Sequence, residues 1–201
     1  TVSNASIVYG DEIPTFVFSL GNAASFDDID ELKQLIQIIC DYEKGNNVGN
    51  YQIDARSFEL TNYTLDVTKG NLEVTKKEIT LFVNGSKDFD NTVWSGEIVA
   101  DGVISMDTFA GTASTKHTFA KNAFTNESDF DIDFTITRDG ADKRENYDVT
   151  FVCNVKINEA ELSVTVGEDF NGTYDGQNHL PEVTVDETLT QNTVTILEVG
   201  S

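Results

Sequence analysis

Only two histidines, His117 and His179, and two cysteines, Cys40 and Cys153, occur among the 201 residues. The two histidines lie 62 residues apart (179 − 117). A metal centre or a Ser-His-Asp triad would therefore have to be assembled by tertiary structure alone. His117 lies in a Thr- and Lys-rich stretch and His179 between Asn178 and Leu180, so both read as surface residues. Cys40 ends an apolar run and Cys153 sits in an alternating one. Neither has a Lys, Arg or His close in sequence to lower its pKa, and two cysteines do not make a disulfide framework; they read as two separate buried thiols. Asp131 and Asp133 alternate with Phe130, Ile132 and Phe134, which places both carboxylates on the solvated face of a strand. Asp27, Asp28 and Asp30, or Asp101 and Asp107, could give oxygens to Ca²⁺, but the sequence has no Asp-x-Asp-x-Asp-Gly loop with a distal Glu. No glycine-rich nucleotide loop is present. Trp94, with Phe89 nearby, could offer an aromatic face to a sugar, although a single Trp in a β domain reads first as core. No catalytic, cofactor-binding or metal-binding residue is predicted, and no cofactor.

The elements that carry these residues follow from composition. Acids number 35 against 13 Lys and Arg, a net charge of −22. Such a surplus repels phosphate backbones and anionic lipid, so neither nucleic acid nor a membrane is an expected partner. Val, Ile, Leu and Phe total 57 residues, enough apolar content for a folded chain despite the charge. Thr, Asn, Asp, Val and Phe dominate, which suits strands joined by turns. The longest strongly apolar stretch, Leu35 to Cys40, falls far short of a membrane span. With Thr1 first and no basic leader or cleavage site, the chain reads as a mature or excised segment.

An internal repeat organises the chain. Asn62-Tyr63-Thr64-Leu65-Asp66-Val67 recurs as Asn146-Tyr147-Asp148-Val149-Thr150-Phe151, an offset of 146 − 62 = 84. Leu72-Glu73-Val74 matches Val155-Lys156-Ile157, and Ile79-Thr80-Leu81 matches Leu162-Ser163-Val164, both at 83. Tyr147 to Ile157 keep one parity, whereas Leu72 and Val74 are out of phase with Tyr63, Leu65 and Val67. A bulge at Lys69-Gly70-Asn71 would restore the inward face. Thr75-Lys76-Lys77-Glu78 and Asn158-Glu159-Ala160-Glu161 read as short linkers that string the modules into a semi-rigid rod. The expected modules are 1–76, 77–160 and a partial third at 161–201. In the first, Ile29, Leu32, Leu35, Ile36, Ile39 and Cys40 recur at helical spacing. Asp28 and Glu31 form a capping pair and Gly45 is placed to stop the helix, so an amphipathic helix is expected over about 28–40. The corresponding region of the second module, Gly111 to Phe124, has no such periodicity.

Tyr9-Gly10-Asp11 followed by Pro14, Gly45 to Ile53 (Gly-Asn-Asn-Val-Gly-Asn-Tyr-Gln-Ile), Asn62-Tyr63 and Gly70 to Lys76 together resemble the MBG repeat, YGX type, of bacterial surface proteins. Lys87-Asp88-Phe89-Asp90-Asn91-Thr92 and Gly172-Thr173-Tyr174-Asp175-Gly176 resemble the related YDG repeats, Asn91 standing where that motif has Gly. The resemblance implies tandem spacer modules of large exported, adhesin-like proteins. Physically, each motif sets an aromatic anchor before a turn that needs positive φ. A Lys87–Asn154 isopeptide, as some surface modules carry, is conceivable. The expected fold is mainly β, with tandem small antiparallel β-sandwich or β-grasp-like modules and one helix. The expected role is a non-enzymatic, extracellular spacer, monomeric, with neighbouring repeats of its own chain as partners. The alternatives are a carbohydrate- or host-protein-binding module, using loops around Trp94 or Tyr174, and a small β glycosidase.

Overall fold

The computed structural model describes residues 1–60, 62–161, 163–167, 172–173, 176–177 and 183–185. The described elements are β1 (Ala5–Val8), α1 (Ile29–Gln34), β2 (Ile36–Cys40), β3 (Gly49–Ser57), β4 (Gly70–Thr75), β5 (Lys77–Asp88), β6 (Ser95–Glu97), β7 (Val99–Asp101), β8 (Thr108–Thr115), β9 (Lys121–Phe124), β10 (Phe130–Arg138), β11 (Ala141–Asp142), β12 (Tyr147–Asn158), β13 (Val164–Val166) and β14 (Val183–Val185). The fold is mainly β, as composition implied. The chain forms two compact units, neither of them one consecutive stretch. The first takes Thr1–Phe82, Ile98–Gly111 and Asp133–Phe151; the second takes Val83–Glu97, Thr112–Ile132 and Val152–Ser201.

In the first unit a four-stranded sheet runs β1-β4-β3-β2. Its β2–β3 and β3–β4 pairs are antiparallel, but β1 lies parallel to β4, with Ala5 opposite Leu72 and Val8 opposite Thr75. Gly49 opens β3, inside the Gly45 to Ile53 stretch that carries the resemblance. Strand β5 pairs with β7, and β10 with β11, both antiparallel. Val2, Tyr9, Tyr42, Ile53, Leu72, Val74, Ile79, Leu81, Ile98, Ile136 and Tyr147 are buried here. In the second unit β6 pairs with β8, β9 with β12, and β13 with β14, all antiparallel. Its core holds Val83, Trp94, Ala113, Phe124, Phe130, Cys153, Val155 and Ile157.

Four local expectations are corrected. The helix expected over 28–40 ends at Gln34, and Ile36–Cys40 is a strand. Asp28 does cap the helix, accepting from Asp30 N–H at 2.9 Å, but Leu35 N–H turns back to Leu32 C=O and the chain then pairs residue by residue with Ser57–Ile53. Ile36-Gln37-Ile38-Ile39-Cys40 is a β-branched apolar run, and in so short a run helical spacing does not outweigh pairing with an available strand. Gly45 therefore stops no helix. Residues 63–69 are irregular, not a strand, so no bulge at Lys69-Gly70-Asn71 is needed; Thr68 C=O accepts from Val2 N–H at 2.9 Å as the chain enters β4. The supposed linker 75–78 lies almost wholly in strand, Lys76 alone separating β4 from β5. By contrast, inward parity along β12 is as expected, with Tyr147, Cys153, Val155 and Ile157 buried.

Trp94 organises the second unit's core. Its ring meets Phe130 edge-on at 6.4 Å, and its N–H donates to Thr115 Oγ1 through the backbone at 3.0 Å. The indole lies flat over two glycines: a Cβ at Gly85 or at Gly96 would stand 2.5 Å from it. Gly85→Ala is expected to cost about 1–3 kcal/mol through overpacking, read as a lower urea midpoint. Gly21→Ala, at a position open to 4 Å, should stay within about 0.5 kcal/mol of the parent.

Candidate functional site

The densest set of polar side chains in the first unit gathers at the Tyr9-Gly10-Asp11 corner. Tyr9 follows β1, where its N–H donates to Thr75 C=O at 2.8 Å, and Gly10 turns the chain at φ +90°. Arg138 ends β10, Tyr147 opens β12, and Asp139-Gly140 between them both take left-handed backbone, φ +51° and +80°, which suits a tight primed turn. These elements aim their polar tips at one carboxylate, Asp107, whose side chain is fully buried. Asp107 Oδ1 accepts from Arg138 Nε at 2.8 Å, with Nη2 in ion-pair contact at 2.7 Å; Oδ2 accepts from the phenols of Tyr147 at 2.7 Å and Tyr9 at 2.9 Å. Arg138 also donates to Tyr9 Oη at 2.9 Å and, through Nη1, to Gly45 C=O at 2.8 Å. The two phenol rings meet edge to face at 5.4 Å.

A second set of landmark residues closes beside it. Asn146, buried, accepts from Val48 N–H at 2.8 Å and donates to Asn47 Oδ1 at 3.2 Å; Lys143 Nζ reaches the same Asn47 oxygen at 2.7 Å. Both phenols of the Asp107 cluster are held well above the ordinary tyrosine range, first by burial and then by the hydrogen bond to Asp107. Two phenols and a guanidinium converge on the one carboxylate, and the phenols stay protonated at neutral pH. The arrangement is cohesive. Sequence reading missed Arg138 altogether and considered Asp107 only as a Ca²⁺ ligand. The usable signal was that Arg138 is one of three arginines, set at the end of an alternating apolar run.

In the second unit the YDG-like motif forms its own turn. Lys87 Nζ donates to Asp90 Oδ1 at 2.6 Å and Thr92 Oγ1 at 2.5 Å, and Asp90 Oδ1 accepts from Thr92 N–H at 2.9 Å. Asn91 takes φ +61°, the conformation expected where the motif has Gly. Lys87 and Thr92 hold the exposed Asp90 carboxyl down to about 2. Lys87 is thus committed to its own loop, while Asn154 is exposed on β12.

The remaining candidates stand apart. Trp94 is 7 % exposed, so its face is not offered to a sugar, and Phe89 is half-buried. Asp131 and Asp133 lie on the solvated face of β10 as expected. Asp27 accepts from the Tyr63 phenol, Asp28 caps α1, Asp30 pairs with Lys33 at 3.3 Å, and Asp101 is exposed on β7. His117 is exposed, its ring tilted against Phe119 at 5.1 Å and stacked with Phe124 at 6.3 Å. Cys40 and Cys153 are free thiols; Cys153 is buried, as expected, and burial raises its pKa, whereas Cys40 is half-buried. His179, Tyr174 and Asp175 lie outside the described residues. A cavity of about 330 Å³ in the first unit is lined by Val2, Phe18, Leu20, Leu32, Ile36 and Leu65 among others, and the Tyr63 phenol on its wall is engaged by Asp27 and by Ala24 N–H. Among the described residues no helix is long and apolar enough to cross a membrane.

Two titrations check these assignments. Because the folded state holds the Tyr9 and Tyr147 protons more tightly than the unfolded chain, the contribution of these two phenols to stability should be constant up to about pH 10 and fall above it. Absorbance at 295 nm should then show these two phenols ionising only with unfolding; free ionisation near pH 10 in the folded protein would contradict the cluster. The depressed Asp90 pKa contributes stability above about pH 4 that is lost as pH falls towards 2. Carboxyl NMR should place Asp90 near 2, and Lys87→Met should return it towards about 3.9.

A search of curated proteins and of solved structures found no match. A family model does match: residues 1–73, which contain the Tyr9-Gly10-Asp11 corner and the Gly45 to Ile53 landmark, fit the MBG domain (YGX type).

Proposed function

We propose that this chain is a non-enzymatic structural segment of a bacterial surface protein, a spacer built of β modules and presented outside the cell beside further repeats. The family matched over residues 1–73 supports the surface-repeat reading. The observation that carries the spacer role is the use made of the landmark residues. Tyr9, Gly45, Asn47, Asn146 and Tyr147 are occupied by one another, by Asp107 and by Arg138, so the motif residues supply cohesion and leave no reactive group presented. The net charge of −22 fits the same role, since like-charged surfaces keep neighbouring copies soluble.

Stretched between its ends in optical tweezers, the segment should resist extension and yield in discrete cooperative steps. A smooth entropic extension, as of a Gly/Ser linker, would contradict the spacer reading. On a glycan array the intact segment should retain no sugar at submicromolar concentration; retention at that level would favour the carbohydrate-binding alternative.

A further inference from the structure

The end strands of the sheets in the first unit are not protected alike. An exposed edge invites another strand, and native proteins blunt it with charge, proline or a covering segment. Strand β7 carries Asp101 and β11 carries Asp142. Beside β1, Val17 C=O accepts from Ser3 N–H at 2.9 Å and Asp11 Oδ2 accepts from Val8 N–H at 3.1 Å. Strand β2, Ile-Gln-Ile-Ile-Cys, has none of these devices and pairs only with β3 among the described residues.

Register shows which backbone groups it leaves open. Phe58 N–H donates to Leu35 C=O at 3.0 Å, extending the ladder that sets Ile36 opposite Ser57. Bonded and non-bonded pairs alternate in an antiparallel ladder, so Gln37 and Ile39 bond to β3 while Ile36, Ile38 and Cys40 turn N–H and C=O to the free edge. On one face Leu35, Ile39 and Phe58 are exposed, Phe58 by 65 %. On the other, Ile36 and Ala55 line the 330 Å³ cavity, which would receive an apolar side chain from an added strand.

Charge selects the occupant. The uncharged strand is bracketed by an excess of acids: exposed Asp28, Asp30 and Glu31 against Lys33 before it, and exposed Asp41 and Glu43 against Lys44, itself paired with Glu12, after it. A second copy paired antiparallel would bring one acidic flank onto the other. An extended segment with basic ends would instead be attracted by both flanks and by the chain's overall −22. We propose that the open edge of β2 accepts an extended peptide segment with an alternating, β-branched centre flanked by Lys or Arg. This goes beyond the spacer reading and does not depend on it.

The probe is the labelled nonapeptide KKVTVTVKK, titrated into the whole segment by fluorescence anisotropy and by backbone NMR. It should bind saturably, weaken as salt is raised, and shift the amides of Ile36, Ile38 and Cys40; EEVTVTVEE should bind at least about tenfold more weakly. Ile38→Pro removes an outward N–H that β3 does not use, and should cost at least about tenfold in affinity with the thermal melt retained. Ile39→Lys, which keeps every backbone donor, should repel the basic peptide and carries the test if the proline variant does not fold. Equal binding of the acidic peptide, binding undiminished by Ile39→Lys, shifts confined to other residues, or no binding at about 1 mM would overturn the proposal. So would self-association in sedimentation that Ile39→Lys abolishes, which would make the occupant a second copy.

Discussion

A carboxyl group taken out of water loses its hydration and needs hydrogen-bond donors or an opposite charge to offset that loss. Asp107 meets that condition with three hydrogen bonds and the charge of Arg138, and much of the first unit is arranged to supply them. The Tyr-Gly-Asp corner brings one phenol, the start of β12 brings another, and the end of β10 brings the guanidinium. Gly45 completes the shell by standing aside. At φ +88° it offers its carbonyl to Arg138, and a Cβ there would lie 2.2 Å from Arg138 Nη1 and 2.3 Å from the Met106 methyl. Family landmarks that lie far apart in sequence are therefore neighbours for one reason.

Such a cluster specifies more than it stabilises. Replacing a buried ion pair by apolar groups is often neutral, whereas removing one partner is strongly destabilising. A carboxylate with two phenols and a fork-shaped guanidinium tolerates one geometry, so it fixes which turn meets which strand end. Around it, solvation is handled by the acid excess: Asp131, Asp133 and Asp148 lie on outward strand faces, and the end strands β7 and β11 carry Asp101 and Asp142. Strand β1 is also uncharged but is flanked by Val17 and Asp11; β2 is uncharged and lacks such flanking contacts among the described residues, and for that reason it is where recognition by backbone pairing is placed.

Alternation made much of the fold legible. The inward parity of Tyr147 to Ile157 and the solvated Asp131 and Asp133 follow from period two, and the Asn91 turn follows from a glycine position in a motif. What misled was a five-residue stretch, Ile36 to Cys40, whose apolar spacing fits either a helix or a strand; the pairing offered by Ile53–Ser57 decides between them, and no local pattern reports it. Asn62-Tyr63 was matched to Asn146-Tyr147 by sequence, yet only the second pair sits at a strand start. The Tyr63 phenol is drawn instead to Asp27. The Asp107–Arg138 pair spans 31 residues and belongs to no spaced motif, so tertiary structure alone reveals it.

The central claim is that the buried Asp107–Arg138 pair, with its phenols, holds the first unit together. A double-mutant cycle in urea with Asp107→Asn, Arg138→Met and the double variant tests it most directly. Each single change should cost about 3–5 kcal/mol by stranding its partner, and the double change should cost clearly less than their sum. Additive losses of under about 1 kcal/mol each, the range of an exposed ion pair, would contradict it.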